Sequence, residues 1–472
     1  MKTKYLFVSA IVMATCTSLS AQTSFDAAKL YDEELNGTAR YVGMGGAMSA
    51  LGSDVSVISH NPAGIGTYRS SDLNTSISFF GSSVNIDPLV TKFSPGLVNN
   101  KTYYSHNNKS DLIPSFDNLS IVFSGYDQGD SYMNFGFSYR KLNNISRSLD
   151  YYDSYPDKDG YEVWREYVDN QRNTINSYDF NLSCNFSDLL YAGVTFGILS
   201  TKTESEGHFY DFYGENMHPD YPDGLDYTVV DKWNYAEGNG FNMALGLIVR
   251  PVSALRLGLS FKTPTWFKQK LEYEDFLYAD RGEDKKDENG DVNSYYDSQD
   301  YKFSSPWSIN LSAGLTFGKT AIGAEFERHY TQRSSLSIGN TKMESQGAIT
   351  FKDYSTFRIG IEQNIGNLAF RLGYNYIEPK FKDNSGPYLN DSKFNQSRKD
   401  FQVDRLTDSK SYTCGIGYCS EPDFDGGQFY FDVAYVHGIR NSVFNVNEYN
   451  DDVDMNYNYK TDKVMFTIGW NF

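Results

Sequence analysis

Past its first 21 residues the chain has no run of 18 or more apolar residues, so no transmembrane helix can be drawn through it. Cysteine is scarce: there are four. Cys16 falls in the leader described below, which leaves Cys184, Cys414 and Cys419, an odd number. Cys414 and Cys419 stand on one predicted strand at an odd separation, so they point to opposite faces and cannot bridge within it. The count argues against a disulfide framework and for small apolar wall residues. Basic residues are outnumbered, 42 Lys and Arg against 60 Asp and Glu, a formal charge of −18 that argues against a nucleic-acid partner. The six histidines (His60, His106, His208, His218, His329 and His437) are scattered. No Ser/His/Asp set and no catalytic carboxylate pair stands out, so the chain reads as a non-enzyme without a cofactor. Gly43, Gly45 and Gly46 are too irregular for a phosphate loop and follow no βα unit.

What is present points to export. Lys2 and Lys4 precede a short apolar stretch, Leu6 to Ala14, and Ser18-Leu19-Ser20-Ala21 offers a cleavage site ahead of Gln22. This is the pattern of a secretory signal peptide, and Thr15 before Cys16 is a poor match to a lipidation site. Without the leader's two lysines the charge becomes about −20. Mean hydropathy is −0.52, yet aromatics make up 16% of the residues and glycine is abundant, at 39. An exported, helix-poor, aromatic-rich chain that is polar on average fits an outer-membrane barrel, whose strands alternate lipid-facing and lumen-facing side chains.

The alternation is there. In SYMNFGFSYRK (131–141) Met133, Phe135, Phe137 and Tyr139 share one face while Asn134, Gly136, Ser138 and Arg140 share the other. Clear copies lie at 175–186, 241–250, 255–262 and 307–317. Weaker ones lie at 73–82, 115–125, 189–200, 320–330, 355–365, 368–378, 410–420, 428–438 and 462–472. These predict an all-β fold, a 14-stranded antiparallel transmembrane β-barrel over 71–472, with the even strand number bacterial barrels use. Connections alternate between tight turns, such as Ser187-Asp188, Gly318-Lys319 and Gly366-Asn367, and long acidic stretches at 83–113, 142–173, 201–237, 264–304, 379–409 and 439–461. The long stretches are expected as loops outside the cell, where acidic groups would share divalent ions with lipopolysaccharide. The chain ends on Phe472 with Trp470 two residues before it, which resembles the sorting signal read by the outer-membrane assembly machinery.

Residues 22–70 lack the strand pattern and are dense in Gly, Ala and Ser. Ser53 or Asp54 can cap a short helix through about His60, which Pro62 would end. Such a segment reads as a compact plug folded back into the lumen. Arg40-Tyr41-Val42-Gly43-Met44-Gly45-Gly46-Ala47, then Asp54, then Asn61-Pro62-Ala63-Gly64, resembles the N-terminal hatch of the FadL/TodX family. That resemblance implies a 14-stranded barrel closed by the hatch. It also implies passive uptake of long-chain fatty acids or other hydrophobic compounds, gated by the hatch residues Gly45, Gly46, Asp54, Asn61, Pro62, Ala63 and Gly64. The partners expected are a hydrophobic small molecule and outer-membrane lipid, with the protein a monomer.

Arg140, Arg250, Arg256 and Arg371 fall on the lumen side and are candidates for holding a ligand carboxylate; with Arg358 they also face Glu325, Glu327 and Glu362, with which they can form ion pairs. Tyr155 to Glu166 resembles a calcium loop at four positions but carries Tyr where its first Asp belongs. Residues 283–300 carry an acidic run that reads as a solvated loop. His60 beside the hatch motif suggests a haem ligand, which keeps a haem receptor as one alternative. A barrel that docks exported proteins in a secretion system is another, and a general polar porin a third.

Overall fold

A period of two gives every strand an inner and an outer face, and only a closed sheet can leave one of them apolar without exposing an edge. The computed structural model describes residues 29–88, 104–105, 108–109, 112–126, 131–156, 162–213, 227–280, 293–331, 334–338, 341–342, 352–380, 403–424, 426–448 and 451–472. The wall strands are β1 (Asp72–Pro88), β2 (Ile113–Tyr126), β3 (Ser131–Pro156), β4 (Glu162–Phe186), β5 (Leu190–Tyr213) and β6 (Tyr227–Val252). β7 runs Leu255–Lys262 and resumes as Trp266–Asp280; β8 runs Asn293–Ser304 and resumes as Trp307–Phe317; β9 runs Thr320–Tyr330 and resumes as Ser335–Ile338. The ring is completed by β10 (Tyr354–Ile365), β11 (Leu368–Ile377), β12 (Val403–Cys419), β13 (Gln428–Glu448) and β14 (Asp451–Asn471). All neighbours are antiparallel, and β1 pairs with β14 from Asp72↔Asn471 to Pro88↔Met455, which closes the cylinder at 14 strands.

The interruptions of β7 and β8 fall at Pro264 and Pro306, which cannot donate to a ladder. They lie side by side, and the Thr265 N–H donating to Ser305 Oγ (2.8 Å) and the Ser305 N–H donating to Thr265 O (3.0 Å) carry the sheet across them. Outward positions form an apolar belt that includes Leu73, Phe135, Phe180, Leu245, Leu259, Leu311, Ile361 and Ile468, all exposed. So large an exposed apolar band is the surface a bilayer covers. Inward positions are polar and buried, as with Asn74, Ser138, Asp179 and Asn181.

Each of the fourteen predicted strands overlies an observed one, but several expected loops are strand. β3 continues to Pro156, β4 begins at Glu162, β5 reaches Tyr213, β6 begins at Tyr227, β13 reaches Glu448 and β14 begins at Asp451. The physical reason is that alternation is required only where one face meets lipid. Farther out the hydrogen-bonded ladder persists with polar side chains on both faces. The ends of the calcium-like stretch belong to β3 and β4, and its residues 157–161 lie outside the described residues, as do the leader, the start of the plug and residues 283–292 of the acidic run; the rest of that run is part of β8.

Residues 29–70 occupy the bore. Helix α1 (Ala39–Gly43) is followed by two 3-10 helices, Val55–Ser59 and Pro62–Thr67. Their Tyr41, Met44, Met48, Val57, Ile58 and Ile65 are buried in one cluster with wall residues Val122, Ala434, Val436 and Met465. The plug meets the wall at inward glycines on seven consecutive strands, Gly193, Gly246, Gly258, Gly314, Gly323, Gly360 and Gly373, with its main chain against each of them except Gly258, where the Asn61 and Ala50 side chains approach. Gly314, Gly323, Gly360 and Gly373 face one another directly across β8 to β11. A Cβ at Gly323 would lie 1.8 Å from Ala47 O, one at Gly360 2.2 Å from Met44 O, and one at Gly373 2.1 Å from Gly45 N.

Gly323→Ala is therefore expected to unseat the plug, at a cost of about 1–3 kcal/mol or more. Limited proteolysis should cut within 37–52 in that variant while heat-modifiable migration still reports a closed barrel. The outward Ala324→Val should leave the plug protected.

Candidate functional site

The plug is built from small helices because its sequence supplies caps rather than long apolar faces. Thr38 caps α1 by accepting from Tyr41 N–H (3.1 Å), and its hydroxyl donates to Asp54 Oδ2 (2.6 Å). Asp54 Oδ1 accepts from Ser56 N–H (2.9 Å), capping the first 3-10 helix, which ends before His60. Asn61 then starts the next one: its Oδ1 accepts from Ala63 N–H (3.2 Å), and Pro62 takes the first helical position, where a missing donor costs nothing. The Asn-Pro pair thus begins a helix as well as ending one. It is also tied to the wall. Asn61 Nδ2 donates to Leu247 O (3.3 Å), and Pro62 O accepts from Ser183 Oγ (2.5 Å) and Asn181 Nδ2 (3.3 Å). Gly45 and Gly46 have φ of +62° and +80°, and a side chain at Gly64 would meet Val57.

The arginines singled out from the sequence all have partners. Arg140 is buried, donates to Ser56 O (3.1 Å) and Ser59 Oγ, and stands 3.6 Å from Asp179. Arg256 donates to Leu51 O. Arg371 reaches Glu362 (2.7 Å) and Asp432 (2.5 Å), and Arg40 of the plug reaches the same Glu362 (2.9 Å). Arg358 pairs with Glu325 (3.2 Å) and Glu327 (3.0 Å). Arg250 lies at a short turn and donates to Ser253 O (3.0 Å). A ligand carboxylate would have to displace these partners.

A different set surrounds the open space above the plug. Leu30 sits in an apolar cluster with Leu142, Ile175, Leu199, Phe267 and Phe303, and Tyr31 stacks on Phe303 at 5.8 Å. The adjoining cleft is lined by Leu30, Tyr31, Leu142, Ile175, Tyr354 and Lys380, among others. The next three residues are acids held by luminal cations. Asp32 meets Lys380 (2.6 Å) and Arg440 (2.5 Å), Glu33 meets Lys262 (2.6 Å), and Glu34 stands 3.6 Å from Arg440. Burial alone would raise the Asp32 carboxyl, but Arg440 and Lys380 outweigh it and hold it down at about 2. Sequence reasoning missed this set, although Leu30-Tyr31-Asp32-Glu33-Glu34 carries the signal: an apolar pair followed by three acids, ahead of the Arg40–Ala47 stretch of the plug.

The wall is incomplete beside this cleft. The β2–β3 ladder runs from Tyr126↔Tyr132 to Asn118↔Arg140 and stops there, whereas β1 pairs with β2 as far as Ile113. The pairing skips Asp117 on β2 and Leu142 on β3 at the level of the break. Side chains bridge it: Asn36 Nδ2 donates to Asp117 Oδ1 (3.0 Å) and to Lys141 O (2.8 Å), and Lys141 Nζ donates to Ser115 Oγ (3.0 Å).

His60 is packed against Tyr41, with its Nδ1 3.5 Å from the Tyr41 hydroxyl. Burial, with Arg358 adding to it, lowers its pKa to about 3, so its imidazole is neutral. Among the described residues no group of three or more His, Cys, Asp or Glu could hold a metal ion. Cys184, Cys414 and Cys419 are free thiols. Trp470 and Phe472 are exposed on the outer face, and the Phe472 N–H and C=O both bond Ser71 at 2.9 Å.

No protein-family model matches this chain, and no curated protein matches it by sequence. Solved structures do match by shape. A Pseudomonas aeruginosa FadL homologue superposes with a TM-score of 0.62 at 12% identity, covering 93% of this chain and 99% of that one. The Ralstonia pickettii toluene transporter TbuX gives 0.55 at 14% identity, covering 93% and 99%. The CymD monoaromatic hydrocarbon channel gives 0.54 at 13%, covering 92% and 97%. At these identities the likeness is one of fold: the chain has the closed 14-stranded antiparallel barrel of the FadL- and TodX-type channels. The resemblance read from residues 40–64 thus extends to the fold of the whole wall.

The Asp32 carboxyl is depressed below its ordinary 3.8 to about 2. Its grip on the leading segment is therefore complete above pH 3.8 or so and lost as the pH falls toward 2. A spin label at position 29, in a chain with its three wall cysteines replaced by serine, should stay immobile at neutral pH and gain motion between about pH 4 and pH 2. Asp32→Asn should be mobile already at neutral pH.

Proposed function

We propose that this chain is a bacterial outer-membrane channel for passive uptake of hydrophobic small molecules, fatty-acid-like or aromatic, without enzymatic activity. The observation that carries the reading is the cleft around Leu30 and Tyr31, apolar where Leu142, Ile175 and Leu199 line it and charged where Lys262, Glu327 and Lys380 do, inside a plugged barrel with an apolar outer belt. Its support from outside the chain is the fold shared with a FadL homologue and with channels named for toluene and monoaromatic hydrocarbons.

An apolar ligand gains about 25 cal/mol per Å² on burial in the chamber. It cannot cross a charged lipopolysaccharide layer unaided, and release sideways through the wall break spares it a return to water. The Leu30–Glu34 segment fills the place a ligand would take, so entry requires it to move; residues 22–70 act as hatch, with Asp54, Asn61 and Pro62 fixing its lower part. A carboxylate-bearing ligand is met first by Lys380 and Arg440, now occupied by Asp32, ahead of Arg140, Arg250, Arg256 or Arg371. Residues 1–21 serve as the removed signal peptide, Trp470 and Phe472 as the sorting signal for the assembly machinery, and the barrel works as a monomer.

The test is uptake into lipid vesicles that contain the purified protein. A fluorescent fatty acid and a monoaromatic probe should enter at least tenfold faster than into empty vesicles, and sucrose should not. Ile175→Asp, which puts a charge in the chamber wall, should cut that uptake about tenfold while the barrel still migrates as folded. Sucrose entry at a comparable rate would favour a polar porin. Retention of exported proteins without uptake would favour a docking barrel, and either result overturns the proposal.

A further inference from the structure

The outward face of β5 to β9 carries three successive rows across the wall whose charges do not match. The lowest row is apolar at its centre: Ile198, Phe241 and Trp266 stand abreast, with Phe241 and Trp266 stacked at 6.3 Å. Four residues farther from the short turns, Lys202, Glu237, Lys270 and Asp300 form an alternating row, cation beside anion on each pair of strands. Between them lies the row Ser200, Asn239, Lys268, Lys302 and Ser337. There Lys268 and Lys302 are directly opposed on adjacent strands, both exposed, with no acid abreast of either.

Directly opposed like charges destabilise a sheet, since their Cβ atoms lie about 5 Å apart. Among the described residues neither amine has an ion-pair partner. On the same outer face Lys270 meets Glu272 (2.5 Å), Lys410 meets Asp408 (2.9 Å) and Arg328 stands 3.6 Å from Glu378, while Lys202 lies over the Tyr235 ring at 5.2 Å. The acids Glu237 and Asp300 stand in the row above, on either side of Lys270. The pair sits one step outside an exposed Trp, the residue that marks the level of lipid headgroups. Two amines held together at that level match a phosphate dianion, with the Trp266 and Phe241 rings against its acyl chains.

We propose that Lys268 and Lys302 form a binding site on the outer wall for a phosphate of lipopolysaccharide in the outer leaflet. The inference rests on the outer-membrane reading above, and it adds a fixed lipid to one side of the barrel, on strands away from the β2–β3 break.

Native mass spectrometry of the detergent-purified protein, titrated with bisphosphorylated lipid A, tests it. The wild type should hold lipid A at least tenfold more tightly than the dephosphorylated lipid, and inorganic phosphate should not displace it. Lys268→Gln with Lys302→Gln should lose at least tenfold in lipid A affinity, while Lys268→Arg with Lys302→Arg should retain it. The same Gln pair should leave uptake of the fatty-acid probe unchanged, which separates this site from the transport reading. Equal loading of the wild type and the Gln variant overturns the proposal, as does equal binding of the phosphorylated and dephosphorylated lipids by the wild type. That second comparison needs no variant to fold.

Discussion

The structure depends on main chain touching main chain inside the barrel. The carbonyls of Met44 and Ala47 rest where Gly360 and Gly323 have no side chain, and inward hydroxyls and amides of the wall close on the plug's other carbonyls. Thr195 donates to Ile58 O (2.6 Å), Asn134 to Ile65 O (2.8 Å) and Thr413 to Gly43 O (3.0 Å). A polar bore and a plug of short helices would each leave buried backbone groups without partners; together they satisfy one another. The plug's lower part is therefore as much wall as plug, and displacing it whole would strand many donors at once.

The leading segment is held differently. Leu30 to Glu34 is fixed chiefly by side chains: an apolar cluster on one side, ion pairs from Lys262, Lys380 and Arg440 on the other. Its few main-chain ties include Glu34 N–H to Leu142 O (2.9 Å). Salt bridges of this kind can be exchanged for others of like chemistry, whereas close backbone contacts cannot. The two parts of the plug are thus held by different forces, close main-chain packing below and side-chain contacts above.

The wall was legible because lipid imposes a rule on every residue it touches. Leu255–Lys262 and Trp307–Phe317 were read at their observed limits, since both faces of those strands declare themselves. Legibility ended where lipid ended. In Ser146 to Pro156 or Lys202 to Tyr213 the ladder continues while the side chains no longer alternate by polarity, so nothing in the sequence there distinguishes strand from loop. The cap at Asp54 is visible as a residue type, whereas the cap at Asn61 is hidden in an Asn-Pro pair that reads as a helix end, and α1 escapes because Ala39–Gly43 is one turn with no face of its own. The chamber was invisible for another reason. Leu142, Ile175, Leu199 and Phe267 come from four strands, and only closure of the ring brings them to Leu30. The cations that meet Asp32, likewise, are 348 and 408 residues away in the chain.

The seam of the cylinder bears on the plug as well as on the wall. Ser71 and Phe472 exchange both backbone hydrogen bonds, so the residue that leaves the plug is stitched to the last residue of the chain. The plug fits a glycine-lined seat spread over seven strands, and its carbonyls lie too near that lining to slide past any side chain. The pairing of β14 with β1 thus shuts the ring and, through Ser71, pins the end of the plug at that same seam, so one junction holds both the wall and its contents.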